Sequence, residues 1–296
     1  MRSRLFKDKA ASKIMFMITM LSSILILLII SGLFYKSRSL LLNEPLSQLL
    51  LGSSWHPLKG EFGLFPFIIG TLYVTIIALI FAVPLCILTS IFLSEYSNKK
   101  IKKIISSLID LLAGIPSVVY GIWGILVVVP LVKNHIAPFF KISSTGYCLL
   151  SGGIVLAIMI FPIIIQISTE VLVSVPMEAR ESSLALGASK WQTIKHVVIR
   201  KAMPGVFAAI ILGLSRALGE TMAVLMVVGN VAKIPNSLFK PAYPLTALIA
   251  NNYGEMLSIP LYDSALMFAA LILLLIVLLF NIIARVFLIK IERNIQ

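Results

Sequence analysis

The chain has 296 residues, of which 59% are hydrophobic and 12% charged, against roughly 25% charged in an ordinary globular protein. So few charges cannot solvate the surface of a soluble protein of this length, and a bilayer removes that requirement. The net charge of +13 raises nucleic acid as a partner. The basic residues, however, sit in short segments between long apolar runs, which is the pattern of cytoplasmic loops and not of one basic soluble face.

Six apolar runs reach the roughly 20 residues that a span needs: Ile14–Tyr35, Phe65–Ser94, Ile104–Val132, Tyr147–Val173, Pro204–Gly229 and Asp263–Ile289. The expected fold class is therefore an all-α polytopic bundle. The first run follows Arg2, Arg4, Lys7, Lys9 and Lys13. It is longer than the apolar region of a signal peptide, and no small-residue cleavage site follows it, so it reads as a retained anchor. Residues 1–13 form a cytoplasmic segment, 14–35 the anchor, 36–64 an extracytoplasmic loop, 65–290 the core of the bundle, and 291–296 a tail. The segment 230–262 is rich in Pro and Asn and is expected to cap the bundle from outside.

Lysine and arginine set the orientation. The two termini and the loops after the second and fourth spans carry 17 of them, the other three loops carry seven, and Arg216 lies inside a span. That bias puts both termini in the cytoplasm. Cys86 and Cys148 lie in apolar segments without a CxxC spacing, and His56, His135 and His196 are far apart, so no local metal-ligand pattern is present. No GxxxxGK[ST] occurs, so any ATP that drives the protein is bound by another chain. Pro84, Pro116 and Pro162 fall within spans, where each removes a backbone hydrogen bond and can kink its helix.

The cytoplasmic segment between the fourth and fifth spans, residues 174–203, is too long to be a plain connector. Glu178 and Glu181 stand near its start and Lys195, Arg200 and Lys201 near its end, an order that complements a helix dipole. Between them lies a cluster of small residues: Ser182, Ser183, Ala185, Gly187, Ala188 and Ser189. Small side chains let another surface approach the backbone closely, Gly187 can break a helix into two with a bend, and Trp191 supplies a bulky apolar anchor. A docking element for a cytoplasmic protein fits this composition. An amphipathic helix on the lipid surface is the other reading, but it would favour bulky apolar side chains.

Glu181-Ser182-Ser183, then three residues, then Gly187 resembles the EAA-x-x-x-G signature of ABC importer permeases. In that family the segment is a coupling helix seated in a groove of the ATPase subunit. Val197 and Ile199 match the continuation of the pattern. Arg200 stands where the family usually has Pro, and the two alanines of the signature are serines here. Further stretches resemble the phosphate transport permeases of the PstC type: Gly70–Thr75, Val83-Pro84, Leu93–Tyr96, Ala113–Gly121, Glu170–Leu172 and, most specifically, Ser215-Arg216-Ala217-Leu218-Gly219-Glu220-Thr221-Met222-Ala223-Val224. The resemblance covers residues 14–290. It implies a type I importer permease fold with a cytoplasmic coupling helix. It also implies a second permease of the PstA type, an ATPase dimer of the PstB type, an extracytoplasmic phosphate-binding protein of the PstS type, and phosphate as substrate. The chain itself would bind no cofactor, ATP and Mg belonging to the partner ATPase. Glu178, Glu181, Ser182, Ser183, Ala185, Gly187, Ala188 and Trp191 would dock the ATPase, and Arg216, Glu220 and Thr221 would line the translocation path.

Residue chemistry alone leaves two readings of Arg216 and Glu220. Four apart in an expected helix, they would share a face, and charges at that depth avoid lipid. They would serve as an internal ion pair that fixes packing, or as a polar point on an anion path, where the planar guanidinium can hold oxygens in pairs. Spacing does not separate phosphate from sulfate. Asp110 is expected at the cytoplasmic interface. An ion-coupled secondary transporter would need intramembrane acids and often an inverted repeat. Glu220 alone serves as such an acid, and no repeat is present.

Overall fold

The long apolar runs form helices, as their length and the absence of water in a bilayer dictate, since a helix satisfies its own backbone. The computed structural model describes residues 2–255 and 259–295. Its helices are α1 (Arg2–Asn43), α2 (Leu46–Leu51), α3 (Phe65–Ile91, prolonged by a π-helical turn, Phe92–Tyr96), α4 (Lys99–Gly114), α5 (Ser117–Phe139), α6 (Leu149–Ser174), α7 (Met177–Ala185), α8 (Lys190–Gly219), α9 (Met222–Leu225), α10 (Leu245–Asn252) and α11 (Tyr262–Ile295). Six of them, α1, α3, α5, α6, α8 and α11, are long and apolar enough to cross a membrane.

The centre of the bundle is α6, packed against α3 on one side and α8 on another. Leu156, Ile160 and Ile164 of α6 are fully buried, as are Ala78, Ala82 and Cys86 of α3. Close approach requires glycine here. A Cβ on Gly153 would lie 2.3 Å from Ile77 Cγ2, closer than any real contact. Gly153→Val is therefore expected to cost about 1–3 kcal/mol through overpacking. The thermal transition of the detergent-solubilised chain, followed by circular dichroism, should fall accordingly. Cys86 and Cys148 are both free and buried, and the Cys86 thiol points to the Phe161 carbonyl at 3.9 Å, so it serves α3–α6 packing.

Helix α1 continues past Tyr35 to Asn43, into the segment expected as loop. Its residues from Ile14 to Leu28 are largely exposed in the isolated chain, a surface that acyl chains can cover. Its outer end packs on α11, where Leu40 joins Phe67, Leu248 and Tyr262 in a second core. The rest of 36–64 is folded: α2 is followed by a two-residue hairpin pairing Trp55 with Phe62 and His56 with Glu61. The turn passes through Gly60 at φ +76°. Trp55 packs edge-on against Phe62 and Phe67 at 5.6 and 5.1 Å.

Two expected spans are corrected. The third does not run from Ile104 to Val132. Pro116 lacks an amide hydrogen and disfavours helical geometry at Ile115, which is extended at φ −71°, ψ 127°. The chain breaks there into amphipathic α4 and spanning α5. The Tyr120 hydroxyl donates to the Leu112 carbonyl at 2.7 Å, which also accepts from the Ile115 amide at 3.2 Å, so α5 is tied back to the end of α4. Asn98 caps α4, its side chain accepting from the Ile101 amide at 2.8 Å. Asp110 of α4 accepts a hydrogen bond from Gln166 of α6. Pro84 and Pro162, by contrast, lie inside uninterrupted helices.

The fifth span also differs at both ends. It begins at Lys190, well before Pro204, and ends at Gly219, ten residues short of Gly229. The chain then passes through an extended Glu220 into the short α9 and an irregular stretch before α10. This stretch does more than cap the bundle from outside. Val227, Val228, Ala242, Leu245 and Leu248 are fully buried. The carbonyls of Lys240 and Leu238 accept from the amides of Leu149 and Leu150 at 2.9 Å each, serving donors that a helix start leaves free.

Candidate functional site

Two regions hold the residues singled out by the sequence. The first is the elbow between α6 and α8, the segment expected on the cytoplasmic side. Pro176 precedes α7 and Gly187 follows it at φ +85°, the left-handed conformation that glycine adopts without steric cost. The next helix starts with a reciprocal cap: the Ser189 hydroxyl accepts from the Gln192 amide at 3.3 Å, and the Gln192 side chain accepts from the Ser189 amide at 2.8 Å. The expected bend at Gly187 is present, but the second helix is not a separate short one. It is the beginning of α8 and continues, through a π-helical turn at Ile194–Val198, into the fifth span.

None of the residues of α7 is buried. Glu178, Glu181, Ser182, Ala185, Gly187 and Trp191 are exposed, Ser183 and Ala188 half-buried. No atom lies within 4 Å of where a Gly187 side chain would begin. Around the small residues and the expected anchor Trp191, which is 52% exposed, stand further exposed apolar side chains that the sequence reading passed over: Leu186 is 89% exposed, with Met177 and Leu184 alongside. The signal for them was available, as leucines flanking small residues in a segment outside any span. A short helix that buries no residue and carries exposed leucines on a bend is an exposed apolar patch of the kind that marks interaction surfaces.

Two further residues missed by the sequence reading are Arg180 and Glu95, an ion pair with a 2.9 Å contact. The Arg180 guanidinium also donates to the Leu172 carbonyl at 2.8 Å and to the Val175 carbonyl. Ser183 and Thr193 share a hydrogen bond of 2.9 Å that ties α7 to α8. Lys190 lies over the Tyr96 ring, 4.5 Å from its centroid. Glu95, Arg180, Lys190 and Thr193 line a cleft between α7, the start of α8 and the adjoining ends of α3 and α6.

The second region is the end of α8. The helix stops at Gly219, so the four-residue spacing does not place Glu220 on the helix face of Arg216. Arg216 stands in the last helical turn, where the dipole favours a cation, and its side chain is exposed. Among the described residues Arg180 pairs with Glu95 and His56 contacts Glu61, and none of the described carboxylates is paired with Arg216. Glu220 is turned inward. Its carboxylate accepts from the Ala223 amide at 3.1 Å, and its carbonyl accepts from the Thr246 hydroxyl at 3.0 Å. With Thr71, Thr75 and Thr246 it borders a small cavity between α3, α6 and α10. Thr221 is half-buried at the break, its hydroxyl 3.4 Å from the Gly219 carbonyl. Irregular backbone at this depth is tolerated where it is buried in protein or lines a watery cavity, which is how broken helices form sites in transporters.

A six-span bundle with a broken fifth span and an exposed elbow between the fourth and fifth spans is the architecture of a membrane-embedded helical subunit. Solved structures share this architecture. Over 95% of this chain and 98% of the other, the fold resembles a chain of a bacterial ABC transporter involved in the import of the acidic polysaccharide alginate, with a TM-score of 0.57 and 19% identity. Over 84% and 99% it resembles a chain of the inward-facing MetNI methionine ABC transporter, with a TM-score of 0.56 and 18% identity. At such identities the likeness is one of fold.

Sequence relatives carry the assignment further. The model of the binding-protein-dependent transport system inner membrane component matches residues 86–293. The chain is 35% identical to the phosphate transport system permease protein PstC of Haemophilus influenzae over 98% of its own length and 94% of that protein. It is 36% identical to PstC of Xylella fastidiosa (82% and 78% covered). It is 40% identical to the probable ABC transporter permease protein YqgH of Bacillus subtilis (80% and 76% covered). The chain therefore belongs to the binding-protein-dependent transport system inner membrane component family, in its PstC branch. It is a multi-pass inner-membrane transport subunit, a permease of an ABC importer.

Proposed function

We propose that this chain is a permease subunit of an ATP-driven phosphate importer. The observation that carries the reading is the identity to PstC along nearly the whole chain. In this reading a second permease of the PstA type closes the path, and two ATPase subunits of the PstB type, which bind ATP and Mg, dock from the cytoplasm. One ATPase contacts the face from Glu178 to Trp191. A PstS-type binding protein delivers phosphate from outside, and this chain binds no cofactor of its own. Both termini lie in the cytoplasm, as the distribution of basic residues supports.

The exposed, preformed elbow supports the docking role, because a partner that meets a rigid surface has little to order on binding. The unpaired, exposed position of Arg216 at a helix break supports a place on the path. A guanidinium facing lipid is costly, whereas one facing a watery cavity between two permeases can hold phosphate oxygens. The inward-turned Glu220 supports a narrower role, holding the break open by binding Ala223 and Thr246, with Thr221 at its rim.

The test is uptake of labelled phosphate into liposomes containing the two permeases and the ATPase, with binding protein outside and ATP inside. Uptake that depends on both, and that excess sulfate leaves unchanged, is the expected result. Competition by sulfate would reassign the substrate to another oxyanion. Uptake without an ATPase would overturn the importer reading in favour of an ion-coupled carrier.

A further inference from the structure

Helix α7 buries no residue, so apolar packing does not hold it to the body of the protein. Polar ties do. One is the Ser183–Thr193 hydrogen bond to α8. The other is Arg180, whose guanidinium reaches three acceptors: Glu95 Oε1 at 2.9 Å, the Leu172 carbonyl at 2.8 Å and the Val175 carbonyl. Its side chain is 13% exposed and that of Glu95 8%. Glu95 stands in the π-helical turn that ends the second span, and such turns are frequent at functional positions. Leu172 lies in the last turn of α6, and Val175 just beyond it. One side chain of the elbow thus grips the cytoplasmic ends of two spans.

The chemistry suits a rigid link. The guanidinium presents its donors in a fixed planar fork, and its bonds to a carboxylate are charge-assisted. A pair sheltered from water resists separation, because removing one partner leaves the other charge uncompensated. We infer that Arg180 and Glu95 are positioning residues that pass the movement of α7 to the second span, so that transport per ATP hydrolysed depends on them while docking of the ATPase does not. This inference rests on the reading of α7 as the ATPase contact. The Ser183–Thr193 bond connects α7 to the fifth span, which carries Arg216. The Arg180–Glu95 pair connects it to the second. Both spans then move with the elbow as one body.

The experiment uses the complete complex in liposomes and measures phosphate taken up per ATP hydrolysed. With Glu95→Gln the ATPase should co-purify as with wild type, hydrolysis should persist, and the ratio should fall about tenfold or more. Glu95→Asp, which keeps the charge, should recover most of it. An unchanged ratio in Glu95→Gln overturns the inference while leaving α7 as the docking helix. An Asp variant that behaves like the Gln variant also counts against the charge as the link. A Glu95→Gln chain that no longer assembles overturns it too, since the pair would then serve assembly and not coupling. A wild-type complex that takes up no phosphate fails the proposed function instead.

Discussion

Arg216→Gln is expected to lower phosphate uptake by about 10- to 100-fold, the range that loss of a charged hydrogen-bond donor produces, with the complex still assembled. The argument starts from what Arg216 does not do. No carboxylate of the chain pairs with it among the described residues, and its side chain is exposed, so Gln breaks no ion pair and empties no buried space. The thermal transition of the purified complex should therefore stay within about 0.5 kcal/mol of wild type, as for surface substitutions. A structural role would give the opposite pair of results: lower stability and, in whatever folds, normal uptake. Uptake by Arg216→Gln at the wild-type rate would take the residue off the path.

Ala185→Trp should abolish co-purification of the ATPase. Ala185 is exposed at the end of α7, beside the bend at Gly187. An indole there meets solvent in the isolated chain and leaves its folding intact. In the complex it would stand where close backbone approach is needed, and interfaces tolerate added volume poorly when packed to interior density. A loss of docking by tenfold or more is expected, read as ATPase retained on the immobilised permease. Retention of the ATPase at the wild-type level would move the contact away from the small-residue face. Comparison with Glu95→Gln then separates docking from coupling, because the first variant should lose the ATPase and the second should keep it.

How much of this was legible from residue order can be judged element by element. The spans were, because a bilayer demands some twenty apolar residues in succession and little else imitates that pattern. The bend at Gly187 was legible as well, since glycine between two helix-forming stretches can end one of them, whereas the Ser189–Gln192 cap that starts the next was not read. The break at Pro116 was a weaker signal. Proline is common in membrane helices, and Pro84 and Pro162 leave theirs whole, so residue type alone did not tell which proline would divide a span. The end of α8 at Gly219 was hidden for a different reason. Residues 222–229 are as apolar as a span, but Ala223, Val224, Val227 and Val228 are buried against α5 and α6, and hydropathy cannot distinguish burial in protein from burial in lipid. The Arg180–Glu95 pair joins residues 85 apart, a distance at which no local pattern exists.

The coil from Met226 to Pro244 carries a consequence for how the chain holds together. Its buried residues, Val227, Val228, Pro235, Phe239, Ala242 and Pro244, alternate with exposed ones, and several of its backbone groups find partners within the chain. The carbonyls of Leu238 and Lys240 meet the first amides of α6, the Ala242 amide meets the Val228 carbonyl at 3.1 Å, and the Leu245 amide meets the Thr71 hydroxyl at 2.9 Å. These bonds tie the coil and the start of α10 to α3 and α6 within one chain, so this end of the bundle is closed by contacts that need no second subunit.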